Sequence, residues 1–253
     1  DGPAGLRLET PCTAIPIATT LAQSWDMDLI HRMGELVGEE MKQLHVDLWL
    51  APGMNIHRNP LCGRNFEYYS EDPVLTGLCA ATETKGVQSQ KGKGTTIKHF
   101  AGNNQEDNRM FTNAHISERA LREIYLKGFE IAVKTAQPYA IMTSYNLING
   151  VHSANNYDML QNIARDEWGF EGLVMTDWYT SQDTTEMGMV SPSRKYSHSS
   201  SVQCIKAGND LQMPGCQQNV DDIVEAVNEG KEITKADLQR CAKHILSVAL
   251  KTM

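Results

Sequence analysis

The feature that most constrains the fold of this sequence is a regular alternation of short apolar runs with longer amphipathic stretches. Six runs are short and mostly apolar: Ala14–Ala18, Val46–Ala51, Thr95–Phe100, Ala140–Tyr145, Leu173–Asp177 and Asp210–Met213. Runs of this kind are typical of strands that are covered on both faces. Because strands that alternate with helices form parallel sheets, the pattern predicts an α/β fold with about six parallel strands.

Four of the other stretches repeat apolar residues at the spacing of one helix face. Ser117 precedes the second of them as a predicted N-cap, with Glu118 directly behind it. The four stripes consist of Ile30, Met33, Val37, Met41 and Leu44; Leu121, Ile124, Phe129, Ile131 and Val133; Val220, Ile223, Val224 and Val227; and Leu238, Cys241, Ala242, Ile245, Leu246 and Ala249. We expect an amphipathic helix at each.

Unusual polar clusters follow three of the predicted strands, at Lys98-His99, Tyr145-Asn146 and Asp177-Trp178. In a closed barrel these strand ends meet at one mouth, where barrel enzymes carry out their chemistry. A doubly wound open sheet also binds ligands at strand ends, but no G-x-G-x-x-G follows any strand. We therefore predict a single domain over residues 1–253 with a (β/α)8-type TIM barrel fold. Since six strands are visible and not eight, the barrel is truncated or incomplete.

Two predicted loops, Gly53–Asp72 and Ala101–Ile116, are long for a compact domain, and loops of this length are usually functional or disordered. They are rich in amides and charges that suit a hydroxyl-rich ligand: Arg64, Asn65, Glu67, Glu71, Asn103, Asn104, Gln105, Glu106 and Arg109. The Ser-rich segment Ser191–Ser201 predicts a mobile loop.

Length, composition and charge narrow the range of partners. The chain has 253 residues, a length common for one α/β barrel, with 41% hydrophobic and 21% charged residues. Its formal net charge of −8 argues against nucleic acid and anionic membranes, which select basic surfaces. Since no apolar stretch reaches 18 residues, no membrane span is expected. A neutral or cationic small molecule is the expected ligand.

The six cysteines are scattered without C-x-x-C spacing, at Cys12, Cys62, Cys79, Cys204, Cys216 and Cys241. Their placement predicts a reducing, cytoplasmic compartment without a disulfide framework or a zinc site. The sequence opens on a turn signal at Asp1 without an initiator Met. We therefore expect a piece of a longer protein, from which targeting information has been lost.

Asp177 is the leading candidate for chemistry, because it follows an apolar strand and precedes Trp178. A carboxylate at a barrel mouth can attack an anomeric carbon, and the indole offers a flat apolar face to a sugar ring. The alternative is that Asp177 caps a following helix near Ser181 and Asp183.

Lys98 and His99 can both reach the same mouth from a frayed strand end and donate hydrogen bonds to hydroxyls. Lys98 could instead form a Schiff base, as in an aldolase, or take part in a structural ion pair. No metal site is expected at His99, since the other histidines lack ligand spacing.

The Arg64 guanidinium has a fixed fork of donors, suited to binding a carboxylate or vicinal hydroxyls. Taken alone, however, Arg64 is better explained by an ion pair with Glu67 or Glu71 that only orders the loop. Taken alone, Tyr145 is typical of a half-buried aromatic residue at a strand end, and Asp1 is typical of an irregular chain terminus.

Five segments together resemble glycoside hydrolase family 3, the β-glucosidase and β-xylosidase family, in the family's order. They are Asp1–Arg7 (DGPAGLR), Gly63–Pro73 (GRNFEYYSEDP), Lys98–Glu106 (KHFAGNNQE), Met142–Asn146 (MTSYN) and Leu173–Trp178 (LVMTDW). The resemblance implies a retaining, exo-acting β-glycosidase that uses no cofactor and forms a covalent glycosyl ester on Asp177. It also implies that seven residues bind the sugar in subsite −1: Asp1, Arg64, Lys98, His99, Met142, Tyr145 and Trp178.

Two departures from the family pattern refine this expectation. The loop around His115 lacks the P-G-H-G and Asp-x-His pattern of the N-acetylglucosaminidase branch, which favours the glucosidase or xylosidase branch. In that branch the acid/base glutamate comes from an α/β sandwich domain, which is absent from this sequence. We therefore expect a C-terminal fragment of a larger enzyme, acting on saccharides or on aryl or plant β-glycosides.

The sequence is also compatible with other functions. The enzyme could be a β-xylosidase of the same family, a Schiff-base lyase that uses Lys98, or a non-catalytic sugar-binding barrel. Without the sandwich domain, exposed apolar surface could also allow a homodimer.

Overall fold

The computed structural model describes residues 2–184 and 195–253, and helices account for most of the regular structure in these ranges. The helices are α1 (Ala18–Gln23), α2 (Met27–Gln43), α3 (Pro73–Gln88), α4 (Glu118–Ala120), α5 (Lys127–Ala136), α6 (Ser201–Ala207), α7 (Gln217–Glu229) and α8 (Lys235–Thr252). There are also two π-helical segments, Leu121–Tyr125 and Asp158–Glu167, of which the first joins α4 to α5, and two short 3-10 helices, Asn65–Glu67 and Ser153–Asn155.

Four strands form one parallel sheet in the order β1-β2-β4-β7: β1 (Leu48–Trp49), β2 (Gly94–Phe100), β4 (Ala140–Thr143) and β7 (Leu173–Met175). A second, small sheet contains β3 (Asn113–Ala114), β5 (Leu147–Ile148) and β6 (Val151–His152). The α/β class and the parallel sheet that the alternation predicts are therefore confirmed.

Alternate side chains of the main sheet enter different layers of the core. Ile97, Ile141 and Val174 belong to the largest apolar cluster, which also contains Phe129 of α5 and Trp168. Their strand neighbours Ala140, Met142, Leu173 and Met175 belong to another cluster, with Val248 of α8. The period-2 pattern thus buries both faces, which is why these strands read as continuous apolar runs.

A closed barrel is not found among the described residues, so the predicted TIM barrel is not confirmed. The main sheet stays open, with β1 and β7 at its two edges apart from isolated bridges. Val248 packs against the sheet face that carries Met142 and Met175. In a closed barrel, that face would line the interior.

Two of the six predicted strands are wrong or incomplete. The run Ala14–Ala18 is irregular until α1 begins, since Pro16 has no N–H to donate to a strand ladder. Asp210–Met213 does run beside β7, but it forms only one parallel bridge, between Met175 and Leu211. The small sheet lies partly in the predicted loop Ala101–Ile116, where no strand was expected.

All four predicted amphipathic helices are present, and Ser117 caps the second as expected, by accepting a hydrogen bond from the Ala120 N–H. Burial follows the predicted stripes only in part, because Val220, Val224 and Leu246 are at least half exposed. The predicted mobile loop Ser191–Ser201 lies partly outside the described residues, and its last residue begins α6.

The six cysteines are all free thiols, and Cys79 and Cys241 are buried within apolar clusters. Within residues 2–184 and 195–253, no helix combines the length and apolar character needed to cross a membrane.

Buried Asp210 ties β7 to two helical segments. One oxygen, Oδ2, accepts hydrogen bonds from the Val174 N–H and from Arg165 Nη2, both at 2.8 Å. The other, Oδ1, lies 2.8 Å from His244 Nδ1 on α8. Arg165 also donates to the Gly172 carbonyl at 3.0 Å. Because β7 leads directly to Asp177, this network fixes the strand that carries the candidate nucleophile.

Replacing Asp210 by alanine is expected to lower the free energy of unfolding by about 3–5 kcal/mol, since it leaves the buried Arg165 guanidinium without its carboxylate. Urea unfolding followed by circular dichroism measures this. Glu123→Ala, which breaks an exposed pair with Arg119, is the control and is expected to change stability by less than about 1 kcal/mol. Equal losses in both variants would contradict a structural role for the Asp210 network.

Candidate active site

The register of the main sheet brings the candidate residues to one edge. Lys98 pairs with Met142, and Met142 pairs with Met175, so one row crosses β2, β4 and β7. Beyond this row, the segment after β4 leads to Tyr145 and the segment after β7 leads to Asp177. The register of β2 shifts after Lys98, and both Lys98 and His99 contact the same cavity.

A cavity of about 560 Å³ opens at this edge. Seven of the eight residues that the sequence singled out line it: Arg64, Lys98, His99, Met142, Tyr145, Asp177 and Trp178. The eighth, Asp1, lies outside the described residues. Seven further residues line the cavity: Arg7, Phe66, Glu67, Glu106, Arg109, Met110 and Tyr179. The candidate residues thus share one basin, as a common site requires.

The Asp177 carboxylate is buried at the bottom of this arrangement, with 5% of the residue exposed. Its Oδ1 accepts a 2.8 Å hydrogen bond from the Trp178 N–H, and its Oδ2 accepts none from the described residues within hydrogen-bond distance. Burial raises the pKa of Asp177, while Lys98, the Trp178 N–H and Arg64 oppose the shift. One oxygen is therefore held in place while the other is available to react.

Asp177 does not cap a helix, since residues 178–182 form turns. The Thr180 N–H and hydroxyl both approach the Asp177 backbone carbonyl, not its side chain. The capping alternative is therefore wrong, and the local backbone N–H that the Asp177 carboxylate does bind is that of Trp178.

Lys98 is also buried, with 4% exposed. Burial lowers the pKa of Lys98 to about 8, although the negative charge of Asp177 opposes this shift. The two groups are thus electrostatically coupled across the cavity. Below about pH 8, Lys98 is a cation that favours the ionised form of Asp177.

His99 Nε2 lies 3.6 Å from Asp177 Oδ2, which is too long for a hydrogen bond. Burial lowers the pKa of His99 well below its usual value, and the positive charges of Arg64, Lys98 and Arg109 lower it further. His99 is therefore a neutral imidazole at physiological pH.

Arg64 combines its two proposed roles. It forms a two-point ion pair with Glu67, in which Nη2 lies 3.0 Å from Oε2 and Nε also donates to Oε1. The loop-ordering pair is therefore present. Arg64 also lines the cavity, and its charge lowers the pKa of Asp177. Glu67 thus fixes a guanidinium beside the carboxylate without removing it from the site.

Arg109 lies over the ring of Tyr145, with 4.9 Å between the guanidinium carbon and the ring centroid. It also donates a 2.8 Å hydrogen bond to Glu106 Oε2. Burial and then the Asp177 charge raise the pKa of Tyr145, so its hydroxyl stays protonated. Arg109 and Glu106 stood in a loop that the sequence marked as suited to hydroxyls, but only the tertiary structure assigns them to the Asp177 cavity.

Arg7, Phe66, Met110 and Tyr179 were not predicted to line the site. Arg7, Phe66 and Tyr179 each lie within a few residues of a predicted site residue, so proximity in sequence was a usable signal for these three. Met110 carried no such signal, because a methionine in a long loop fits many environments.

The cavity suits a small polyhydroxylated ligand. It contains a carboxylate with an oxygen free of hydrogen bonds, cationic donors from Arg64 and Lys98, and the partly exposed indole of Trp178. Charged and neutral donors bind hydroxyls, and an aromatic face covers the apolar side of a ring.

Comparison with known proteins agrees with this chemistry. Residues 2–248 match the glycosyl hydrolase family 3 N terminal domain. An exo-α-(1→6)-L-arabinopyranosidase of Bifidobacterium breve is 46% identical over all of this chain, which covers 32% of that protein. A β-glucosidase of Ruminococcus albus is 43% identical, again over the whole chain and over 26% of its own length.

Solved structures give the same picture. β-Glucosidase 3B from Thermotoga neapolitana in complex with glucose superposes with a TM-score of 0.88 at 46% identity, over 99% of this chain and 35% of that one. β-Glucosidase from Kluyveromyces marxianus in complex with glucose superposes with a TM-score of 0.88 at 35% identity, over 100% of this chain and 29% of that one. The chain thus spans about a quarter to a third of the length of these relatives. It belongs to glycosyl hydrolase family 3.

Proposed function

We propose that this chain is the nucleophile-bearing part of a retaining β-glycosidase, with Asp177 attacking the anomeric carbon of the terminal sugar. The observation that carries the proposal is the buried Asp177 carboxylate, whose Oδ2 faces a cavity lined by Lys98, His99 and Arg64. We also propose that the open four-stranded sheet is an incomplete (β/α)8 barrel. In it, α8 packs against the sheet face that would line the interior of a closed barrel.

Asp177 can serve as nucleophile only when it is ionised. Burial alone disfavours the ionised form, and the charges of Lys98, Arg64 and Arg109 offset this cost. In the first step Oδ2 attacks the anomeric carbon, the glycosidic C–O bond breaks and the leaving oxygen takes a proton. In the second step the acid/base group takes a proton from water, the water oxygen bonds to the anomeric carbon and the bond from that carbon to Oδ2 breaks, which restores Asp177 as a carboxylate.

The proton in the first step requires a second carboxyl group, about 5–5.5 Å from the nucleophile in retaining enzymes. The two other carboxyls that line the described part of the cavity, Glu67 and Glu106, are each bonded to an arginine. We therefore propose that the acid/base group comes from a part of the enzyme outside this sequence. The greater length of the relatives supports this.

The proposed substrate is a terminal β-D-glucosyl residue or a closely related sugar. The names of β-glucosidases from Ruminococcus albus and other organisms support glucose. A β-xylosidase is the alternative, and the arabinopyranosidase relative supports pentopyranosides as a second class. Hydrolysis rates of 4-nitrophenyl β-glucoside, β-xyloside and α-L-arabinopyranoside by an enzyme containing this chain would distinguish them.

Incubation of the chain with a 2,4-dinitrophenyl 2-deoxy-2-fluoro-β-glucoside is expected to attach one fluoroglucosyl group to Asp177. The dinitrophenolate leaving group needs no proton, so this step does not require the acid/base residue. Peptide mass spectrometry locates the adduct. Asp177→Asn, which keeps the shape of the side chain, is expected to form none, whereas Asp158→Asn on a distant segment should label normally. An adduct at another residue would contradict the assignment.

On cellobiose the chain alone is expected to be nearly inactive, since general acid catalysis typically contributes about 10²–10⁴-fold. Glucose release measured with and without the remainder of the enzyme tests this. Burial raises the pKa of Glu106, so Glu106 is the internal residue to compare. Efficient cellobiose hydrolysis by the chain alone that is lost in Glu106→Gln would place the acid in this chain and overturn the expectation.

The labelling rate is expected to fall on both sides of neutral pH. As pH falls, Asp177 takes up a proton at a pKa raised by burial and loses its nucleophilicity. As pH rises through about 8, Lys98 loses the charge that stabilises the carboxylate and binds the sugar. Lys98→Met is expected to label about 10- to 100-fold more slowly and to lose the alkaline limb. An unchanged alkaline limb in Lys98→Met would contradict this role.

Two alternative functions have their own tests. Trapping of a carbonyl substrate on Lys98 by borohydride would support a Schiff-base lyase. If instead the complete enzyme binds glucosides, fails to hydrolyse them and binds equally well as Asp177→Asn, a sugar-binding module is favoured.

A further inference from the structure

His99 is held from two sides by residues that do not line the cavity. Asn55 accepts a 2.8 Å hydrogen bond from the His99 N–H and donates a 2.9 Å hydrogen bond to the His99 carbonyl. The Tyr68 hydroxyl lies 3.2 Å from His99 Nδ1, and the two rings meet edge to face with 6.2 Å between centroids. All three residues are at least 97% buried. The backbone and the ring of His99 are thus each fixed by a separate partner.

The protonation of this ring has consequences for the site. His99 is neutral, because its burial and three nearby cations lower its pKa. A neutral imidazole carries one N–H and one lone pair, so one nitrogen donates and the other accepts. Nε2 is the nitrogen nearer to Asp177, at 3.6 Å from Oδ2. The tautomer therefore decides whether the cavity receives a donor or a lone pair beside the carboxylate.

We propose that Tyr68 is a positioning residue that holds His99 in its Nε2–H tautomer by donating its hydroxyl hydrogen to Nδ1. The role of the resulting Nε2–H rests on the proposed function: it is aimed at the sugar hydroxyl that lies beside Asp177 Oδ2. The opposite tautomer would place the Nε2 lone pair against the carboxylate oxygen, where the two negative potentials repel.

The position of Nε2, 3.6 Å from Asp177 Oδ2, favours Tyr68 as the donor in this bond, because it turns an N–H and not a lone pair towards the carboxylate. The protonation of both groups agrees with this direction. Burial raises the pKa of Tyr68 above its ordinary value, so the hydroxyl keeps its hydrogen at every physiological pH. Arg64, Lys98 and Arg109 also surround the site, so a second proton on the imidazole is disfavoured. A neutral ring with Nδ1 accepting from Tyr68 must carry its hydrogen on Nε2. This is how an orienting partner selects the reactive tautomer of histidine in other sites.

The first test uses the chain itself and needs no activity. With ¹⁵N-labelled histidine, the nitrogen shifts of His99, assigned through His99→Gln, report which nitrogen carries the hydrogen. The wild-type chain is expected to show the Nε2–H form. Tyr68→Phe keeps the ring but removes the hydroxyl, and is expected to show a substantial Nδ1–H population. An Nδ1–H form in the wild-type chain, or no change in Tyr68→Phe, would overturn the proposal.

Tyr69→Phe is the matched control. Tyr69 is the next residue and is equally buried, but its hydroxyl donates to Glu83 and it does not line the cavity. Removing it is expected to leave the His99 tautomer unchanged. If Tyr69→Phe shifted the His99 signals as much as Tyr68→Phe does, the effect would be a general loss of packing and the proposal would fail.

The second test measures labelling of Asp177 by the fluoroglucoside. Tyr68→Phe is expected to label about 10-fold more slowly than Tyr69→Phe, the loss expected for one hydrogen bond of about 1.4 kcal/mol. Equal rates in the two variants would overturn the role of Nε2–H in binding. If the tautomer result holds and no variant labels at all, the glycosidase proposal fails while the Tyr68–His99 assignment stands. The two failures are therefore distinguishable.

Discussion

The register between β2, β4 and β7 is the constraint on which the site depends. One row of paired residues runs through Lys98, Met142 and Met175, so the three strands leave the sheet at the same level. A shift of one residue in any strand would turn its side chains to the opposite face. Asp177 would then lose its electrostatic interaction with Lys98. Asp210 maintains this register, because it bonds the Val174 N–H in β7 and Arg165 outside the sheet.

Within this frame the site balances opposing electrostatic effects. Burial disfavours charge on both Asp177 and Lys98, while each favours the charge of the other. Glu67 and Glu106 neutralise Arg64 and Arg109 without removing them from the cavity. The nearby cations oppose protonation of the buried Asp177 carboxylate, in a cavity where an unpaired charge would be costly. His99 adds no positive charge to this balance, because burial and the nearby cations lower its pKa.

Much of the fold was predictable, because periodicity reports burial on one or two faces. The alternation predicted a parallel α/β sheet, and the helix at Ser117 began where its cap indicated. The closed barrel was not predictable from the same signal, since an apolar strand face reads alike whether a barrel interior or Val248 of α8 covers it. The prediction of a strand at Ala14–Ala18 was wrong because it gave the apolar composition more weight than Pro16. Arg109 was predicted as a polar loop residue but could not be assigned to the Asp177 cavity, because loop residues carry no periodicity.

Residue type and spacing were enough to predict the parallel α/β class, the polar clusters at three strand ends and, through five ordered motifs, the family. These are local properties of the chain. Packing in three dimensions was needed to show that five polar residues share one cavity: Arg64, Lys98, His99, Tyr145 and Asp177. The same packing lets Arg64 pair with Glu67 while it lines the cavity, and it brings the Tyr68 hydroxyl to the His99 ring. Distances between strands, and the burial that shifts each pKa, arise from packing between segments far apart in sequence.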